Sequence, residues 1–361
     1  MPKYHIITFG CQMNKSDSER IAASLEQKGY KKASKINEAD LVVVNMCSVR
    51  QSAVDRVFGQ YRNLAKLKNK NSKLKTVLTG CILKKDKVKF KNIFDEIWDN
   101  GEKYFQKPVK TKLNNLSYIP ISNGCNNACS YCVVPFTRGR LVCRSHKEIL
   151  KETKRFIHPH TKRGYIDKNN KINKANPRYG VGVKEIWLLG QNVNDYQSPA
   201  DPSVDFAKLL KVINAIPGDF KFFFMSPHPN NFSNELINVL SKCEKFGKYL
   251  NLPVQSGDNK ILKQMNRNYA IGEYIKLVKK ILKKIPEIKL STDIIVGFPG
   301  ETKKQFQNTV KLFKKIKFNV AFISKYSPRP ETAAAKMKNT IPLAEKKNRE
   351  KILRGLIKKH G

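Results

Sequence analysis

Carboxylates are scarce in this chain: 29 Asp and Glu stand against 70 Lys and Arg in 361 residues, a formal net charge of +41. That deficit excludes an electrically neutral surface, and the physical expectation is attraction to a polyanion, either nucleic acid or an anionic membrane. Arginine is scarce too, at 14 residues against 56 lysines. Lysine, asparagine and isoleucine are all plentiful, as A+T-rich coding produces, so coding accounts for part of the magnitude while the sign is read as function. Long apolar runs are missing. No stretch approaches the roughly 20 residues of a membrane span, and "MPKYHIITFG" lacks the layout of a signal peptide, which predicts a cytoplasmic protein with no membrane segment. Cysteine is limited to eight residues. In a reducing compartment such thiols are metal ligands or catalytic groups before they are disulfides. Cys143 and Cys243 lie away from the other six and read as buried or surface thiols. Neither internal repeats nor low-complexity tracts interrupt the sequence beyond its lysine richness.

What is present is an alternation of strand and helix patterns. "YHIITFGC", "DLVVVNMC" and "KTVLTGC" read as parallel strands, the first two followed by the helical patterns "SERIAASLEQKGY" and "AVDRVFGQYRNLAKL" and the third by a basic polar stretch. This predicts an α/β, Rossmann-like unit over residues 1–105. Each strand ends in a cysteine, at Cys11, Cys47 and Cys81. The carboxyl ends of parallel strands share one edge, where ligands sit, so these three distant residues are expected to meet. A linker around residues 101–115 with Pro108 follows. Residues 116–335 then carry six apolar runs, "YIPISNGC", "EIWLLGQNV", "FKFFFMSP", "YLNLPVQSG", "LSTDIIVGF" and "FNVAFISKYS", separated by helical patterns. Six β/α units with polar, Gly-rich strand ends predict a partial (β/α)6 TIM-type barrel whose strand ends face a shared cavity. The segment 158–182 is polar and aperiodic and reads as a solvated loop despite His158 and His160, whose spacing is compatible with metal. Residues 336–361 close the chain with a basic amphipathic helix.

The densest signal is "NGCNNACSYC", with Cys125, Cys129 and Cys132 inside eight positions. This C-x3-C-x2-C spacing lets a short loop wrap one compact metal cluster. A structural zinc site takes four ligands, and no fourth Cys or His stands at the usual offset. Three thiolates suit an iron-sulfur cubane that keeps one iron free for an exogenous ligand.

On that loop, after the first strand of a partial barrel, the chain resembles the radical S-adenosylmethionine superfamily. "TFGCQMNKSDSER", "VVNMCSVRQSAVDRVFGQ", "GCNNACSYCVVPFTRGR", "LLGQNVNDY", "LPVQSGDNKILKQMNR", "DIIVGFPGET" and "YSPRPETAAA", in that order over nearly the whole chain, resemble the methylthiotransferases within it. The resemblance implies two 4Fe-4S clusters, one on Cys125, Cys129 and Cys132 and an auxiliary one, carrying the sulfur to be inserted, on Cys11, Cys47 and Cys81. It implies S-adenosylmethionine as radical source and methyl donor, cleaved to a deoxyadenosyl radical. It places Gly190, Gln191 and Asn192 near the methionine amino group. Gln255, Ser256 and Asp293, with Gly297, fall at later strand ends within reach of ribose or adenine, or serve only as turns. Arg138, beside Thr137, is expected to bind the cofactor carboxylate or a substrate phosphate, with a surface salt bridge as the plain alternative.

The activity so implied is methylthiolation of carbon 2 of N6-isopentenyladenosine next to the anticodon of tRNA. The partners implied are the tRNA anticodon arm, an electron donor such as a flavodoxin or ferredoxin, and a sulfur donor. Methylthiolation of threonylcarbamoyladenosine or of a ribosomal-protein aspartate is the nearest alternative, and a non-catalytic iron-sulfur tRNA-binding protein is the alternative of another class. Two departures stand out. Leu141 and Cys143 occupy places where the family commonly has an acidic residue and a serine. The family also continues into a small C-terminal RNA-binding β-barrel, which is expected to be absent here, as the sequence ends at Gly361.

Overall fold

The structure, a computed structural model, describes residues 1–99, 105, 107, 109, 115–158, 182–338 and 340–357. Its first part is a parallel five-stranded sheet in the order β2-β1-β3-β4-β5, formed by β1 (Lys3–Phe9), β2 (Lys31–Lys32), β3 (Leu41–Cys47), β4 (Lys75–Cys81) and β5 (Glu96–Ile97). β3 is buried along its whole length, as its run of valines demands for a central strand covered on both faces. Helix α1 (Gln12–Gln27) sets Ile21 and Leu25 against Leu41, Val43 and Val77 on one face. Helix α2 (Gln51–Lys70) sets Val54, Val57 and Leu64 against Val42, Val44, Met46 and Leu78 on the other. The odd and even residues of β3 thus face different helices, as the period of two requires.

The basic stretch after β4 is more structured than expected. It forms helix α3 (Lys84–Phe90) and then β5, because Phe90 and Phe94, hidden among lysines in the sequence, are buried under α2.

The second part has six main parallel strands in two triples. β6 (Leu116–Pro120), β9 (Glu185–Leu189) and β10 (Lys221–Phe224) form one. β11 (Tyr249–Asn251), β12 (Lys289–Val296) and β13 (Val320–Lys325) form the other. A parallel bridge from Phe222 to Phe246 leads from one to the other, and a single hydrophobic core runs beneath both. The outer helices are α5 (His146–Ile157), α6 (Phe206–Asn214), α7 (Asn234–Lys242), α8 (Asn259–Gln264), α9 (Ile271–Lys284), α10 (Lys303–Lys315) and α11 (Leu343–Ile357). In α9, Tyr274, Val278 and Ile281 are buried at helical spacing while its lysines face outward. This is the expected partial barrel.

Two features were not anticipated. A two-stranded hairpin, β7 (Ser122–Asn123) with β8 (Val142–Cys143), clamps the base of the cysteine loop, and the short helix α4 (Val134–Arg138) lies between its arms. The closing helix is not free for a partner all round. Leu353, Arg349 and Lys346 are buried, with Arg349 on Glu301, so only part of its basic surface is open. His158 caps α5 and its ring contacts the Pro217 carbonyl at 3.1 Å; His160 and most of the 158–182 segment lie outside the described residues.

Buried ion pairs join the two parts. Arg20 of α1 donates to Glu152 of α5 at 2.8 Å, and Arg144 donates to the other oxygen of the same carboxylate at 2.6 Å. Arg329, after β13, meets Asp86 at 3.3 Å, and the Ser48 hydroxyl donates to that carboxylate at 2.7 Å.

Candidate functional site: two cysteine triplets at one interface

The first triplet lies at the carboxyl edge of adjacent strands. Cys47 and Cys81 end β3 and β4 and are register partners, and Cys11, two residues beyond β1, is the N-cap of α1. Gly80 has φ +113°, and a Cβ there would stand 2.1 Å from the Met46 carbonyl oxygen, so only glycine lets the two strand ends approach this closely. Buried amides line the edge. Asn14 donates to the Asn45 side chain at 2.9 Å and reaches the Cys81 sulfur at 3.8 Å, while Asn45 donates to Ser18 at 2.9 Å. The Cys47 thiol donates to Cys81, which raises the Cys47 pKa and, against burial and aided by Arg138, brings Cys81 down to about 6.

The second triplet sits in the loop between β7 and α4, at the mouth of the barrel. Several elements pin this loop. Gly124 has φ +81°, and a Cβ there would stand 2.0 Å from the Arg140 carbonyl oxygen. The Gly124 N–H donates to the Gln191 side chain at 2.6 Å, tying the loop to the end of β9. Ser130 bonds the backbone at the end of α8, its N–H donating to the Met265 carbonyl and its hydroxyl to the Gln264 carbonyl, at 3.0 and 2.8 Å, and Asn266 donates to the Ala128 carbonyl at 2.8 Å. N–H groups point at the sulfurs, from Asn127 to Cys125 at 3.4 Å and from Val134 to Cys132 at 3.5 Å. The buried Arg267 guanidinium lies 3.7 Å from the Cys129 sulfur and also donates to the Pro253 carbonyl at 3.0 Å. Burial pushes the Cys125 thiol up and the Cys132 thiol up to about 12.

Among the described residues, no three His, Cys, Asp or Glu side chains are gathered to hold a metal ion. The donor chemistry fits a larger group. Each triplet offers three soft thiols, buried thiols resist ionisation until metal charge compensates them, and backbone N–H groups or buried cations face the sulfurs, as around protein-bound iron-sulfur cubanes.

The expected cofactor contacts follow strands of the second part, except Asp293, which lies within β12. Gly190, Gln191 and Asn192 follow β9. Asn192 is buried, and neither its amide nitrogen nor its oxygen has a hydrogen-bond partner among the described residues, so it is open to an incoming polar ligand. Gln255 holds φ +70° after β11, strain of the kind stored at ligand sites, and its N–H donates to the Asp293 carbonyl at 2.8 Å. Ser256 is buried with its hydroxyl accepting from the Asp258 N–H at 3.2 Å, a turn contact. Asp293 on β12 has its pKa raised by burial, opposed by a hydrogen bond from Asn251 and by the charges of Arg50 and Arg267.

Arg138 forms an ion pair, the plain alternative of the sequence reading, but a buried one and not a surface one. Its side chain is 3 % exposed. Its Nε donates to the Cys81 sulfur at 2.9 Å, Nη1 to Asn123 at 2.8 Å and Nη2 to Asp17 at 2.6 Å. Asp17, Asn14, Asn45, Asn123 and Arg267 went unnoticed in the sequence. The available signal was polar residues directly after Cys11, on helix positions that prove to be buried.

Residues 119–313 match the radical SAM superfamily, and residues 3–98 match the family described as Uncharacterized protein family UPF0004. The chain is 36 % identical over 372 residues to the tRNA-2-methylthio-N(6)-dimethylallyladenosine synthase of Clostridium novyi (strain NT), covering 94 % of this chain and 77 % of that protein. Its identity to the enzyme of the same name from Alkaliphilus oremlandii (strain OhILAs) is 37 %, covering 99 % of this chain and 77 % of that one. Among solved structures, the apo cobalamin-dependent S-adenosylmethionine radical enzyme OxsB matches the whole chain with a TM-score of 0.60 at 11 % identity, a likeness of fold. This chain spans 56 % of that enzyme's length.

Proposed function

The chain belongs to the radical S-adenosylmethionine methylthiotransferase family, and from that premise we propose that it adds a methylthio group to carbon 2 of N6-isopentenyladenosine next to the anticodon of tRNA. The observation that carries this reading is that Arg138, on the short helix that follows the Cys125–Cys132 loop, donates to the sulfur of Cys81 in the strand-end triplet, which links the two cysteine-bearing regions. Insertion of a sulfur atom at an unactivated carbon needs a radical source and a sulfur carrier facing one substrate atom, and two three-thiol sites are suited to those two tasks.

Cys125, Cys129 and Cys132 hold one 4Fe-4S cluster, and Cys11, Cys47 and Cys81 hold a second. When bound, the clusters and S-adenosylmethionine supply the electron, the radical and the transferred sulfur. The chain's own residues bind, orient and exclude water. Gln191 fixes the cysteine loop through Gly124. The buried Asn192 amide, with partners still to make, receives a polar group of S-adenosylmethionine. Gln255, beyond β11, and Asp293, within the neighbouring β12, are assigned to its nucleoside. The working division is an auxiliary-cluster domain at 1–105, a radical domain at 116–335 and a terminal helical segment. The electron and sulfur donors are external proteins or small carriers, and the setting is the cytoplasm, a reading in keeping with the absence of a membrane-crossing helix among the described residues.

The test is anaerobic reconstitution with iron and sulfide, then incubation with S-adenosylmethionine, a reductant and isopentenylated tRNA. Mass spectrometry of the nucleosides is expected to show the 2-methylthio product together with free deoxyadenosine. Tight tRNA binding with neither product would leave a non-catalytic iron-sulfur protein.

A further inference from the structure

The Arg138 guanidinium touches elements bearing both triplets. It ends the helix that begins two residues after Cys132, and its three nitrogens reach Cys81 at the end of β4, Asp17 six positions beyond Cys11, and Asn123 two positions before Cys125. Asp17 and Arg138 are 2 % and 3 % exposed, so the fork is held in a protein environment and not by solvent. A guanidinium presents donors in a rigid planar fork, and here one edge holds the Asp17 carboxylate while Nε is left to face a sulfur.

We propose that Arg138 is a positioning residue for the auxiliary site: it fixes the Cys81 sulfur and, by donating a charge-assisted hydrogen bond to it, raises the reduction potential of the cluster held by Cys11, Cys47 and Cys81. The inference rests on the two-cluster reading above. Its physics is that reduction adds negative charge to a cluster and its thiolates, and a buried cation bonded to one of those sulfurs stabilises the reduced form more than the oxidised form. Asp17 partly offsets this charge and supplies the orientation. The arrangement also couples the two sites mechanically, since a shift of the cysteine loop that moves α4 moves the donor on Cys81.

The experiment places Arg138→Gln and Arg138→Lys in the Cys125→Ala/Cys129→Ala/Cys132→Ala background, where only the auxiliary cluster remains. Iron per chain, circular dichroism and the potential from an EPR-monitored redox titration are measured. With Gln, the reduced-to-oxidised ratio at a fixed applied potential is expected to fall about tenfold, the scale of one charge-assisted hydrogen bond, with Lys intermediate because it keeps the charge and loses the fork. The order Arg, Lys, Gln in potential is a signature that a purely structural role does not produce. Should Gln release the iron while Lys keeps it with the fold intact, the requirement for a cationic donor is equally upheld. An unchanged potential in the Gln variant, or loss of iron from both variants, overturns the role of Arg138 alone. Absence of iron from the background with Arg138 intact overturns the two-cluster reading, and this inference with it.

Discussion

Six thiols divide into two sets by what surrounds them, and the division is testable residue by residue. Replacing Cys125, Cys129 and Cys132 with Ala is expected to leave about half the iron and no S-adenosylmethionine cleavage, since the site with an open iron is lost. The Cys11→Ala/Cys47→Ala/Cys81→Ala variant is expected to do the opposite, releasing deoxyadenosine while transferring no sulfur; iron analysis and nucleoside mass spectrometry read both. A second residue gives a pH dependence. His228 is 8 % exposed, its Nδ1 accepts from the Asn230 N–H at 3.3 Å, and burial followed by the charge of Arg267 depresses its pKa to about 3. Tyr269 faces the ring edge-on. The folded state refuses the proton that the unfolded state accepts, so stability is expected to fall as pH drops below about 6.5, by up to roughly 1.4 kcal/mol per pH unit. His228→Gln is expected to flatten that slope in denaturant titrations between about pH 6.5 and 4.

At the scale of elements, the β7–β8 hairpin and the cysteine loop act as one unit. Gly124 is a close backbone approach within it, since any side chain there meets the Arg140 carbonyl and φ is positive. Gly124→Ala is expected to cost roughly 1–3 kcal/mol and to lower iron bound at Cys125, Cys129 and Cys132 more than at the strand-end triplet. Melting temperature and iron content of Gly124→Ala, alone and combined with the strand-end cysteine variant, check this. The pattern of the longer strands and helices was legible in the sequence because it is local. "DLVVVNMC" is a buried parallel strand wherever it sits, and "GEYIKLVKKILKKI" carries its apolar face at helical spacing. The hairpin was not legible, because two-residue strands carry no period.

For the molecule as a whole, Glu152 is the keystone of the interface, buried between Arg20 of the first part and Arg144 of the second. Glu152→Ala leaves two buried guanidinium groups short of their counter-charge and is expected to destabilise the fold by roughly 3–5 kcal/mol, seen as a lower denaturation midpoint. The charge of +41 makes a prediction of its own. Residues 62–91 hold 11 basic residues and one acidic residue, Asp86, which is buried. tRNA affinity is expected to fall steeply with salt, with a slope of roughly 0.7 to 0.9 in log affinity against log salt for each phosphate contact, and to depend little on tRNA sequence. Binding isotherms between about 50 and 200 mM salt measure this, and a flat response would assign the charge to coding bias.

The sequence by itself determined the main alternation of strands and helices, the parallel sheet and the partial barrel, and it set three cysteines near strand ends and three in one loop. Hydrophobic period and strand-end position are properties of a few neighbouring residues, and they survive in a one-dimensional reading. Only the tertiary structure decided what stands beside the sulfurs. Arg138 reads as a binder of a carboxylate or phosphate, or as a surface salt bridge, yet its partners Cys81 and Asp17 lie 57 and 121 positions away. Arg267 reaches Cys129 across 138 positions, and Arg20 reaches Glu152 across 132. Such pairs have no local spacing to betray them. A buried charge must find its counterpart wherever packing brings one, and packing is settled by the burial of apolar faces far removed in sequence from the charges themselves.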